Sequence, residues 1–223
     1  MITVHHLDNS RSQRVLWLLE ELGVDYDIKR YRRDSRTMLA PKSLRKVHPL
    51  GKSPVITEDG LVIAESGAII EYLVDRHGGR KLVPPPRSPE RLRYTYWLHF
   101  AEGSAMTPLL LSLIFDKLPS QPMPILVRPI VRAISSRVLA SFVNPQIETH
   151  RRFMEDELAK SPWFAGDKFT AADIQMSFVV EALAASEALG TKSANLSAWL
   201  ERIHARPAYI RALEKGGPYE LKR

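Results

Sequence analysis

The stretch Asn9–Arg14, NSRSQR, sets an amide, two hydroxyls and two guanidiniums between an apparent strand, ITVHH, and an apparent helix, VLWLLEELG. Side chains of these types can cap a helix, cradle a phosphate or stabilise an anion on which chemistry is done. The stretch is too short and too poor in glycine for a phosphate loop. A helix N-terminus presents orphan N–H groups and partial positive charge, so a hydroxyl there suits a developing anion. His5 and His6 lie on the strand and point to opposite faces, which argues against a metal pair. The chain has no cysteine. Disulfide scaffolds, thiolate metal sites and dithiol redox chemistry by the protein itself are therefore excluded.

The elements that must position these residues follow from composition and periodicity. The chain has 223 residues, 44% of them hydrophobic and 26% charged, ordinary values for a globular protein with one or two domains. The longest strongly apolar run, Leu109–Phe115, is too short to cross a bilayer. The N-terminal MITVHHLDNSR lacks a signal-peptide pattern, so a cytoplasmic protein is expected. The net charge is +7 and is spread along the chain. The densest basic segment, Lys29–Arg36, is short and interrupted by Asp34. It reads as a solvated loop and edge strand, and nucleic acid is not expected as a partner.

Up to about residue 80, strand and helix signals alternate. ITVHH is followed by a helix with Val15, Leu16, Leu18, Leu19 and Leu22 at helical spacing, stopped by Gly23. YDIKRY reads as a second strand and Pro41–Val47 as a short helix. Pro54–Thr57 and Leu61–Ala64 read as a hairpin about Glu58-Asp59-Gly60. Ser66–His77 reads as a helix ended by two glycines. The order is βαβ then ββα, that of a thioredoxin-like α/β domain. The proline-rich run at 83–88 stiffens the chain and marks the boundary between a domain at 1–82 and one at 89–223. Apolar residues at i, i+3 and i+4 predict helices over Pro89–Leu118, Ile125–Leu158, Ala171–Leu189, Leu196–Ala205 and Ala208–Lys215. In FTAADI, Thr170 and Asp173 form a capping box and Phe169 and Ile174 a hydrophobic staple, a folding signal.

Four motifs in order, SRSQRVLWLLEELGVDYDIKRY, PLGKSPVI at Pro49–Ile56, AESGAIIEYL at Ala64–Leu73 and GDKFTAADIQMSF at Gly166–Phe178, resemble a glutathione transferase. The match is closest to the cytosolic serine-type bacterial and fungal branch. The resemblance implies a thioredoxin-like N-terminal domain plus an all-α C-terminal domain, usually a homodimer, with glutathione as co-substrate and no metal. It implies detoxification by conjugating the glutathione thiolate to small hydrophobic electrophiles. Peroxidase activity on organic hydroperoxides follows from the same thiolate. A non-catalytic glutathione-binding or regulatory protein of the same fold is the alternative.

The resemblance also assigns residues. Ser10 is the preferred thiolate partner, Asn9 and Ser12 remain open, and Ser12 looks more like the helix N-cap. Arg11 adds positive potential. Glu65 and Ser66 hold the γ-glutamyl end, with Ser66 helped by the N-terminus of its helix. Pro54 is the family's cis-proline, Ser53 offers backbone groups to the cysteinyl part, and Lys52 reaches the glycine carboxylate, as does His48 unless it is structural. Ser53 departs mildly from the β-branched apolar residue more usual there. Trp97, Glu102 and Met106 are assigned to the electrophile pocket between the domains. From Lys117 to Gln146 there is no acidic residue. This basic segment reads as a helical hairpin over the substrate pocket or dimer cleft, and membrane contact is not expected.

Overall fold

The computed structural model describes every residue except Arg36, Pro218, Glu220, Lys222 and Arg223. Arg36, the last residue of the basic segment noted above, thus lies outside the described residues. The apolar residues of ITVHHL make strand β1, Ile2–Leu7, one of the two inner strands of a four-stranded sheet of order β2-β1-β3-β4. It pairs in parallel with β2, Tyr26–Tyr31, and antiparallel with β3, Val55–Glu58, which forms a hairpin with β4, Leu61–Ala64. Val4 is flanked by Ile28 and Ile56 and is fully buried.

Helix α1, Ser12–Leu22, presses Val15, Leu16, Leu18 and Leu19 into the core. It ends where Gly23 takes a left-handed conformation, φ 70°, and donates to the Leu19 carbonyl. Helix α2, Ser66–His77, buries Ile69, Ile70 and Leu73 against the same core. The predicted helix at 41–47 is a single 3₁₀ stretch, Lys42–Lys46.

The second half of the chain is helical, as expected, but segmented differently. The rod expected over 89–118 is α3, Pro89–Phe100, then a π-helical turn, Ala101–Ala105, then α4, Met106–Lys117. Pro89–Ser120 as a whole is long and apolar enough to span a membrane, unlike the 109–115 run alone. Its buried residues, among them Tyr94, Trp97 and Leu98, belong to the common core. The helix expected over 125–158 is likewise interrupted, giving α5, Arg128–Val138, a second π turn, Leu139–Val143, and α6, Asn144–Lys160. Helices α7, Ala171–Ala185, α8, Ala194–His204, and α9, Pro207–Gly216, complete the domain.

The Thr170–Asp173 capping box is formed. Asp173 also accepts the Phe164 N–H at 3.0 Å and the Trp199 indole N–H at 3.1 Å, so the cap residue ties α7 to α8. Helix α9 returns to the first domain and packs along α1. Trp17 meets Tyr209 edge-on at 5.1 Å, and Glu21 receives Arg206 Nε at 2.6 Å.

Candidate active site

β1 delivers the chain to a turn in which Asn9 adopts a left-handed conformation, φ 50°. Arg33 holds that turn, donating to the Asp8 and Asn9 carbonyls at 3.1 and 3.2 Å. The helix then starts at Ser12, with Arg11 at the capping position and no side-chain cap bond. Ser12 is therefore not the N-cap that sequence suggested. Its hydroxyl turns back toward the strand it follows, accepts the Leu7 N–H at 3.3 Å and lies 2.8 Å from His6 Nδ1. Ser12 is fully buried, which removes it from direct contact with any ligand. Ser10 stands in front of it. Its Oγ accepts the Ser12 backbone N–H at 3.2 Å, lies 2.8 Å from Ser12 Oγ, and reaches Ser53 Oγ at 3.4 Å.

Two cavities meet at Ser10's end of this turn. One is a polar recess of about 120 Å³ lined by Arg11, His48, Lys52, Ser53, Pro54, Glu65, Ser66 and Glu102, with Leu50 and Ala64. Every residue that sequence assigned to the glutathione end thus converges here. The Ser53–Pro54 bond is cis, and Ser53 Oγ donates to the His5 carbonyl at 3.0 Å. Glu65 holds φ 71°, an uncommon conformation for a residue with a side chain, immediately before buried Ser66 opens α2. Ser66, the first residue of α2, lines the recess, and a helix N-terminus is where an anion is favoured.

The other cavity, about 250 Å³, is lined by Asn9, Ser10, Arg11, Arg33 and Ser53 on one side. On the other are Met106, Leu109, Leu110 and Leu113 of α4, Phe178 and Ala182 of α7, and Leu221. Arg11 and Ser53 belong to both walls. A larger open groove of about 970 Å³ runs beside Tyr72, Arg91, Tyr94 and the prolines 84–86. It contains none of the side chains marked by sequence, so size does not identify the site.

Of the three residues assigned to the electrophile pocket, only Met106 lines the apolar cavity. Trp97 is buried in the helical core, stacked on Phe153 at 5.4 Å and against Phe164 at 4.6 Å. Glu102 lines the polar recess instead. It pairs with Arg14 and, at 3.5 Å, with Arg11 Nε. Arg14 is buried and also donates to the Gln175 carbonyl at 2.5 Å. Burial lowers the Arg14 pKa, and the neighbouring Glu102 carboxylate opposes that shift. Glu102 sits on the π turn Ala101–Ala105, an extra-residue feature frequent at functional positions. His6 is held neutral by burial and by Arg30. His5 lies on the opposite face and is satisfied by Tyr31 and Thr57.

Sequence reasoning missed Arg33, the α4 leucines, Phe178 and Ala182 of α7, Leu221, and the partnership of His6 with Ser12. Met106, Leu109, Leu110 and Leu113 carry a helical i, i+3, i+4, i+7 signal, but that spacing cannot say what the face opens onto. No residue of 117–146 lines either cavity. The expected cover over the substrate pocket is not formed by this segment, because α5 packs on α4 with Ile130 and Ile134 exposed.

Comparison with known proteins agrees with this arrangement. Residues 10–76 match the glutathione S-transferase N-terminal domain family and residues 122–207 the C-terminal domain family. Glutathione S-transferase 3 of Schizosaccharomyces pombe is 38% identical over 96% of this chain and 88% of its own length. The chain belongs to the glutathione S-transferase family. Glutathione S-transferase 1 of Saccharomyces cerevisiae is 30% identical over 96% of this transferase and 95% of its own chain. The crystal structure of a glutathione S-transferase from Actinobacillus pleuropneumoniae superposes with a TM-score of 0.83 at 34% identity. That superposition covers 99% of this transferase and 95% of the other chain. The transferase thus joins a thioredoxin-like domain to a helical one, with the Ser10 turn where the polar recess and apolar cavity adjoin.

Proposed function

We propose that this transferase binds glutathione in the polar recess and transfers its thiolate to small hydrophobic electrophiles in the adjoining cavity. The recess matches the tripeptide chemically. Glu65 can accept from the α-amino group, Ser66 and the α2 N-terminus suit the α-carboxylate, and Lys52 suits the glycine carboxylate. The observation that carries the reading is Ser10, which lines the apolar cavity and reaches Ser53, a residue of both walls, at 3.4 Å, with its oxygen fixed by the Ser12 N–H.

A free thiol has a pKa near ~8.5, and lowering it by two units takes about 2.7 kcal/mol. A hydroxyl hydrogen bond to an anion supplies roughly 1.5–3 kcal/mol. The start of α1 adds about 0.3–1 kcal/mol. Ser10 and the helix together supply roughly 1.8–4 kcal/mol, a range that brackets the requirement. The thiolate then attacks the electrophilic carbon held among Met106, Leu109, Leu113 and Phe178. A hydroperoxide oxygen in the same place is an equally suitable target, and the working form is taken to be a homodimer.

Steady-state assay with a chlorodinitrobenzene substrate tests this. Ser10→Ala is expected to lower kcat/KM roughly 10- to 150-fold, the kinetic equivalent of one lost hydrogen bond to an anion. Unchanged activity excludes Ser10 as the activating group. Glutathione binding by the wild type without turnover favours a binding protein over an enzyme.

A further inference from the structure

Behind Ser10 lies a polar chain that thiolate stabilisation alone does not require. Ser10 Oγ is 2.8 Å from Ser12 Oγ, and Ser12 Oγ is 2.8 Å from His6 Nδ1. All three residues are buried, with Ser12 fully so. Ser12 Oγ also accepts the Leu7 N–H at 3.3 Å and lies 3.4 Å from the Leu7 carbonyl, so its shortest acceptor is Nδ1. In the neutral ring whose Nδ1 is bare, the Ser12 proton points at Nδ1. Ser12 Oγ then has no proton left for Ser10, so in their 2.8 Å contact Ser10 is the donor. In that tautomer the hydroxyls are polarised one way, from the cavity toward the imidazole.

The geometry points to a proton relay in which Ser10 and Ser12 carry the glutathione thiol proton inward to Nδ1 of His6. This rests on the glutathione-binding role proposed above. The S–H bond breaks as its proton passes to Ser10 Oγ. The Ser10 proton passes to Ser12 Oγ, and the Ser12 proton forms an N–H bond at His6 Nδ1. The products are a thiolate and an imidazolium, with no proton given to solvent. After the shift every polar group is still satisfied. The Ser10 hydroxyl now donates to sulfur, Ser12 donates to Ser10, and Nδ1–H donates to Ser12. The charged groups facing the ring are Asp8, which favours the imidazolium, and Arg30, which opposes it. Burial keeps the ring neutral and hence able to accept. His6 touches no substrate atom and acts only through the serines.

Proton stoichiometry tests the relay. Thiolate formed when glutathione binds at neutral pH is read from its ultraviolet absorbance. Protons released are read by an indicator dye in weak buffer. Wild type is expected to form thiolate with well under one proton released per thiolate. In His6→Asn and Ser12→Ala, whatever thiolate forms is expected to release one proton each. Nitrogen-15 spectra of the imidazole should show His6 turning to imidazolium on binding in the wild type only. One proton released per thiolate in the wild type, or a His6 ring that stays neutral, overturns the relay while leaving Ser10's role intact. If glutathione binds and no thiolate appears even in the wild type, the Ser10 reading fails with it. Should either variant fold poorly, the wild-type stoichiometry and spectrum decide alone.

Discussion

The polar recess and the apolar cavity share a wall but are built by opposite means. The recess is fixed by main chain: a cis Ser53–Pro54 bond, Glu65 at φ 71° and the N-terminus of α2 place its groups with few rotatable bonds. The cavity is fixed by side chains that meet from α4, α7 and the segment after α9. A ligand of constant shape is suited to a wall that cannot move. A pocket lined by Met, Leu and Phe can repack around differing apolar partners. The difference teaches that constancy and breadth can be separated within one site by drawing one half from backbone and the other from rotamers.

Several changes should break or sharpen that contrast, and the largest acts on the seam. Glu102→Gln leaves buried Arg14 facing a neutral amide from a part-exposed side chain, a change expected to destabilise by roughly 1.5–3 kcal/mol, the range of a hydrogen bond to a charged group. A denaturant midpoint unchanged from wild type would show that the seam is not held this way. Next, Glu65→Ala should raise the KM for glutathione roughly tenfold or more, the loss of one charged hydrogen bond. The KM for the electrophile should stay within about twofold, since the two halves bind separately. Leu113→Ala should do the converse more mildly, raising electrophile KM about fivefold for the apolar area lost. Glutathione KM should not change, and a shift in both would mean the halves are coupled.

The smallest effect is one of pH. Burial lowers the His6 pKa, so its folded value lies below the ordinary 6.5. The associated stability is present above pH 6.5 and is lost as pH falls below it, because the unfolded chain then binds the extra proton. Thermal midpoints should decline from pH 6.5 to 5.5 more steeply in the wild type than in His6→Asn, when the two proteins are scanned in parallel.

Much of the recess was legible through a family resemblance carried by short local motifs. Glu65-Ser66 and Lys52-Ser53-Pro54 are each adjacent in sequence, and the sheet brings them to one recess. The capping box at Thr170 was legible because it too is local in sequence, although its bond to Trp199 was not. The cavity was illegible because its lining spans Asn9 to Leu221, and helical spacing gives a face without a direction. Trp97 shows the error this allows: it lies on α3, which packs it into the helical core, whereas the cavity is lined from α4 and α7. Ser12 shows another. A serine at a strand–helix junction reads as a cap, and only the placement of His6 beneath it reveals a different task. The 117–146 segment was legible as a basic amphipathic helix, but its relation to the cavities was not.

The end of α9 carries a last consequence. Arg30 on the edge strand grips the Gly216 carbonyl at 2.6 Å, joining residues 186 positions apart, while Arg206 at the head of the same helix holds Glu21 of α1. α9 thus works as a clasp closed on both the sheet edge and its covering helix, so opening it would loosen the two together.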